Sequence, residues 1–187
     1  MVVLRSSLAQ LARSCVLSSL LLPLLFGLGA SAASAPPVDE RSLRAVTVYH
    51  LMAFTAWPPD RTERSGSVRR LCIVTADDEL ADAFRTLTSR PIGELTLVVE
   101  RRAEVTSLDD CETVYFDRGE HELSPRLFAD LHARSVLTIT GGPVGGEIIS
   151  LNIVGRRLVF DVSAPAMREA RIDLSAKVLE LARKVWR

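Results

Sequence analysis

The sequence predicts an α/β domain: a mixed sheet with parallel β-α-β units plus a C-terminal antiparallel hairpin, flanked by helices. Three observations predict it. Short, largely apolar runs at residues 71–74, 113–116 and 136–139 suit strands covered on both faces, and helical stretches separate them. Residues 149–162 instead alternate apolar and polar side chains about Val154-Gly155-Arg156, as in a hairpin with one packed face. Amphipathic helical stretches stand at both ends of this region.

The first helix is read over residues 39–57. Leu43, Val46, Tyr49 or His50, Ala53 and Trp57 share one face, and Asp39 can cap the start. Trp57-Pro58-Pro59 ends it, because proline excludes helical angles from the residue before it. Residues 60–70 are polar, carry Ser65-Gly66-Ser67 and read as a loop. Next come a strand at 71–75, a helix at 78–89 with Leu80, Ala83, Phe84 and Leu87 inward, and a strand at 95–101. This β-α-β unit implies a parallel pair with a right-handed crossover. Residues 113–116, 124–133 and 136–140 repeat the pattern.

In the hairpin, Ile149, Leu151 and Ile153 alternate with Ser150 and Asn152, while Leu158, Phe160 and Val162 alternate with Arg157, Val159 and Asp161. A closing helix is read over 174–186, inward at Leu174, Val178, Leu181 and Val185. Lys184 and Arg187 then sit near its C-terminal dipole end.

Of the 187 residues, 48% are hydrophobic, and 23 basic residues balance 23 acidic ones. Zero formal charge excludes the footprint of a general nucleic-acid binder. The apolar residues begin in a block of their own. Residues 1–35 hold no acid and only two bases, Arg5 and Arg13, ahead of an apolar run from Val16 to Leu28 and the small-residue site Ala30-Ser31-Ala32. That order describes a secretory signal peptide over 1–32. Pro23 interrupts the run, which is shorter than the roughly 20 residues a spanning helix needs. A short linker (33–38) and a single domain (39–187) follow. The long uncharged stretch from Ser14 to Val38 leaves an uncleaved inner-membrane anchor as the alternative. Cys15 precedes the apolar run and does not read as a lipidation cysteine.

Once the leader leaves, Cys72 and Cys111 remain, an even number in an oxidising compartment. Each lies in or beside a strand segment. A disulfide and two buried thiols both fit; a zinc pair lacks histidine partners at suitable spacing.

The search for chemistry is negative. Gly141 and Gly146 have the P-loop interval, but Glu147 and Ile148 follow where Lys and Ser/Thr are needed, so the loop reads as a tight connection. Glu120-His121-Glu122 after Asp117 reads as a solvated loop, and His132 as a surface residue. There is no G-x-S-x-G or S-x-x-K motif. The doublets Arg69-Arg70, Arg101-Arg102 and Arg156-Arg157 read as solvated strand ends. No catalytic residue, metal or cofactor is expected.

Several segments together resemble the YfiR family. Tyr49-His50-Leu51-Met52-Ala53-Phe54-Thr55-Ala56-Trp57-Pro58 resembles its opening helix end, and Leu71-Cys72-Ile73-Val74 its first strand. Cys111-Glu112-Thr113-Val114-Tyr115-Phe116 is similar to its cysteine-led strand. Val136-Leu137-Thr138-Ile139 with Gly145-Gly146-Glu147-Ile148, then Leu158-Val159-Phe160-Asp161-Val162 and 172–182, follow in the family's order. The resemblance implies a non-enzymatic periplasmic repressor of a membrane-bound diguanylate cyclase, lowering cyclic-di-GMP signalling. It implies binding to the cyclase's periplasmic part, sequestration by an outer-membrane lipoprotein, a homodimer and a Cys72–Cys111 bridge. Trp57, Pro58 and Pro59 form a rigid apolar knuckle, and tryptophan is enriched at hot spots, although core packing is the other reading of Trp57. His50 stands where the family usually has asparagine, near surfaces that could meet a partner. The alternative function is a small-ligand sensor or solute-binding module, since α/β domains offer crevices at strand ends.

Overall fold

The apolar runs become the middle of the sheet, because strands flanked by helices on both faces bury every side chain. The computed structural model describes residues 39–102, 105, 108–117 and 123–187. The leader and linker segments, Cys15 and Glu120-His121-Glu122 lie outside the described residues.

The chain opens with helix α1 (Glu40–Ala53), strand β1 (Thr55–Ala56) and helix α2 (Pro59–Ser65). A β-α-β unit follows: β2 (Val68–Val74), α3 (Asp78–Arg85), β3 (Pro91–Ile92) and β4 (Leu95–Arg102). The second comprises β5 (Thr113–Phe116), α4 (Pro125–Ala133) and β6 (Leu137–Thr140). The hairpin is β7 (Ile149–Val154) and β8 (Arg157–Ser163), and α5 (Ala164–Glu169), β9 (Asp173–Leu174), α6 (Ala176–Leu181) and β10 (Lys184–Trp186) close the chain.

Eight strands form one sheet in the order β10-β8-β7-β6-β5-β2-β4-β3, and β1 pairs with β9 apart from it. Strands β4, β2, β5, β6 and β7 run parallel, while β7–β8 and β3–β4 are antiparallel. The expected hairpin register appears, with Leu151 opposite Phe160 and Ile153 opposite Leu158. Alternation divides the core. Leu71, Ile73 and Tyr115 face Val48 and Met52 of α1 and Leu80 and Phe84 of α3. Cys72, Val74, Val114 and Phe116 face Phe128 and Leu131 of α4.

Five local expectations are corrected. Helix α1 turns the other way: it buries Arg44, Ala45, Val48, Leu51 and Met52, and leaves Val46, His50 and Ala53 exposed. Both ladders are apolar enough to face inward. The one chosen carries an arginine at its head, which Glu40, Tyr115 and Gly141 accommodate. The helix also stops at Ala53, because Thr55 and Ala56 pair with Leu174 and Asp173. Residues 60–70 are not a loop: Pro59 sits in the first turn of α2, where a missing N–H costs nothing, and β2 begins at Val68.

The closing helix is only Ala176–Leu181. Lys184–Trp186 leaves it to pair in parallel with Asp161–Ser163, so Leu181 is exposed and Lys184 and Arg187 lie beyond the helix. Sheet pairing overrides the local helical period there. Finally, the hairpin is covered on both faces where Ser150 opposes Asp161, both being buried.

Candidate interaction site

The outward stripe of α1 and its C-cap exposes apolar side chains beside the family-like motif. Val46, His50, Ala53 and Phe54 follow one another at helical spacing, and Val46 and Phe54 are 40% and 44% exposed. Of the remaining candidates, Trp57 packs in the core, Pro58 is half-buried and Pro59 exposed. The geometry therefore brings His50 and Pro59 to the surface and assigns Trp57 to packing. Its ring lies under the guanidinium of Arg69, 4.2 Å from ring centre to Cζ.

That stack belongs to a buried polar cluster below α2. Arg61 and Arg69 are both buried, and burial pushes both guanidinium groups below their ordinary values against the pull of Glu112. Arg61 donates to the Cys111 carbonyl. Glu112 accepts from the Ser65 hydroxyl and the Arg70 backbone N–H. Sequence reading missed this cluster. Arg61 gave no signal inside a polar stretch, whereas Arg69 shares the strand parity of Leu71 and Ile73.

Cys72 and Cys111 form a disulfide, their Cα atoms 5.8 Å apart. Val114, the β-ladder partner of Cys72, lies three residues beyond Cys111, so the approach to β5 returns to the same height as β2. An Asp110 carboxylate oxygen lies within 4.8 Å of both sulfurs, but the sulfurs are spent on each other.

A second feature lies at the carboxyl ends of β2 and β5. The chain leaves β2 for β4 on one side and returns to β5 on the other, which opens a crevice at that reversal. Its volume is about 310 Å³, lined by Glu40, Arg41, Arg44, Asp77, Leu80 and Asp117. Its charges hold one another. Arg41 donates to Asp77 at 2.8 Å, and this bond, with the Leu80 N–H, holds the Asp77 carboxyl below its usual range. Arg44 reaches Glu40 at 2.8 Å and the Gly141 carbonyl at 3.2 Å. Asp117 accepts from Thr75 at 3.1 Å and from the Tyr115 phenol at 3.4 Å; burial raises that phenol well above its ordinary value. The described residues that line the crevice supply carboxylates and guanidinium groups.

Other expected surface groups are engaged. Arg70 and Arg102 both clamp Asp110 and Glu100, and Arg101 reaches Asp78, so these three are ion-paired across β2 and β4, while Arg69 of the first doublet is buried and not a solvated strand end. Arg156 and Arg157 are exposed at the hairpin turn, as read. His132 is buried, not on the surface, because α4 lays it against β6 and α5. Its Nε2 lies 3.1 Å from the Thr138 hydroxyl and its Nδ1 3.4 Å from Glu169. The glycine loop is a tight connection: Glu147 turns back to accept the N–H groups of Val144 and Gly145.

Residues 41–183 match a protein-family model described as YfiR/HmsC-like. A search of curated proteins finds no match.

Proposed function

The chain belongs to the YfiR/HmsC-like family, and we propose that it is a periplasmic regulator that represses a membrane-bound diguanylate cyclase by binding the cyclase's periplasmic part. The family match carries this reading. Two features support it. A buried disulfide from β2 to the approach to β5 suits an oxidising compartment. The exposed Val46 and His50 on α1 and Phe54 at its C-cap offer apolar and aromatic groups of the kind that anchor protein contacts. On this reading the leader over residues 1–32 directs export, residues 33–38 link it to the domain at 39–187, and retention of the leader would instead anchor the domain to the inner membrane. Among the described residues, no helix is long and apolar enough to cross a membrane. Repression proceeds by contact alone, with no cofactor and no turnover. An outer-membrane lipoprotein competes for the repressor, and a second copy forms a homodimer with it.

Deleting the gene should raise cellular cyclic-di-GMP. Wild-type protein should restore the low level, and a Val46→Glu/Phe54→Glu variant of unchanged Tm should not. Unchanged cyclic-di-GMP after deletion would refute the repressor reading; full restoration by the double variant would move the contact surface away from α1.

The crevice between β2 and β5 favours a second reading, a small-ligand sensor, because ligands of open α/β sheets bind at such reversals. A melting screen with nucleotides and amino acids separates the two: saturable stabilisation supports the sensor.

A further inference from the structure

Arg69 lies within β2, on the same face as the core residues Leu71 and Ile73. Only 6% of it reaches solvent, and its Nε and Nη1 find no acceptor among the described residues. The Nε of Arg61 and the indole Nε1 of Trp57 are likewise buried without an acceptor. Four donor nitrogens on three neighbouring side chains therefore lack partners. Guanidinium groups cannot shed their charge at ordinary pH, so this condition is not relieved by titration.

The charge is unbalanced as well. Among the described residues, Glu112 is the buried acid of the cluster, set against two buried arginines, and its hydrogen bonds come from Ser65 and the Arg70 N–H, not from the orphan nitrogens. The outer charges are engaged elsewhere: Arg64 with Asp60, Arg134 with Asp109, and Asp110 with Arg70 and Arg102. A water molecule could accept from the orphan donors but would leave a buried net positive charge, which is costly away from solvent.

We infer that a small monovalent inorganic anion, chloride in ordinary solution, binds among Arg61, Arg69 and Trp57 beneath α2. It supplies the missing acceptor and the missing negative charge together. Arg69 holds it with its Nε edge, Arg61 closes the site from α2, and the indole N–H of Trp57 adds a neutral donor. The site is structural: it lets α2 cover the amino end of β2 with both arginines charged.

Purified protein is melted in sodium gluconate, with chloride or bromide exchanged in at constant ionic strength. The expected result is a saturable rise in Tm of about 4 °C at tenfold saturation. The rise should disappear in Arg69→Met and need more halide in Trp57→Phe, which keeps the ring and removes the donor. Should Arg69→Met fail to fold, bromide-soaked wild-type crystals decide: an anomalous peak within hydrogen-bond reach of Arg69 Nε supports the site. Equal melting curves in gluconate and halide, a halide response unchanged in Arg69→Met, or a site without anomalous signal would each overturn it.

Discussion

Arg183 grips Asp161 with two nitrogens, Nε to Oδ1 at 2.8 Å and Nη2 to Oδ2. The same residue donates its backbone N–H to the Phe160 carbonyl at 2.8 Å. Asp161 is buried in β8 opposite Ser150, so the pair clamps the last strand to the edge of the sheet. Replacing Arg183 by Met should release β10 without unfolding the domain. Hydrogen exchange is expected to quicken severalfold at Val185 and Trp186 while the amides of β5 and β6 keep their protection. Equal protection of β10 in both proteins would show that the clamp is idle.

The Cys72–Cys111 bridge closes a loop of 39 residues in sequence separation. In the chain-entropy model such a loop contributes about 4 kcal/mol by constraining the unfolded chain. Cys72→Ala/Cys111→Ala should therefore lose about 2–4 kcal/mol in urea unfolding, and reductant should lower wild type but leave the double variant unchanged. A double variant as stable as wild type would contradict this.

His132 gives the domain a pH dependence of known sign. Burial lowers its pKa, while Glu169 pulls the other way without prevailing. The unfolded chain therefore takes up the proton first, near pH 6.5, and the folded state only at lower pH. Stability from this group is complete above about pH 6.5 and falls as pH drops from there towards the depressed folded pKa. Nδ1 faces the Glu169 carboxylate, which only accepts, so the neutral imidazole carries its proton on Nδ1 and Nε2 accepts from the Thr138 hydroxyl. Melting curves between pH 8 and 5 should slope less steeply in His132→Gln than in wild type; identical slopes would remove His132 as the cause.

Gly146 has φ +104°, and a Cβ there would stand 2.8 Å from Cδ2 of Phe128. Phe128 cannot give way easily, since it packs edge-on against Phe116 at 6.0 Å between ring centres. Gly146→Ala combines backbone strain with overpacking and should cost about 2–4 kcal/mol in chemical denaturation. Gly155, with φ +63° and open space around the added Cβ, isolates the backbone part: Gly155→Ala should cost about 1–2 kcal/mol. Equal losses at the two sites would mean that Phe128 moves aside freely.

The central strands and their helices were legible because each burial pattern admits one reading. Thr113–Phe116 appears with the expected bounds, and Leu80, Phe84 and Leu87 face inward as their spacing requires. Elements decided by remote partners were not legible. Nothing in Lys184-Val185-Trp186 announces a strand until Asp161–Ser163 lies alongside, and Thr55-Ala56 pairs only because Asp173-Leu174 returns to it. At α1 two apolar ladders compete, and the winning one hides Arg44, a residue that hydropathy assigns to water. The buried charges follow the same logic. Arg61 and Asp161 sit inside because the fold surrounds them, which their neighbours in sequence do not reveal, whereas the parity of Arg69 with Leu71 and Ile73 was there to be read.

The covalent bond from Cys72 in β2 to Cys111, just before β5, encloses α3, β3 and β4 within one ring of backbone. A single cut by a protease anywhere from residue 73 to residue 110 thus leaves both pieces tethered. Such nicked protein would migrate as one band without reductant and as two with it, and one flank of the sheet outlasts a break in its own chain.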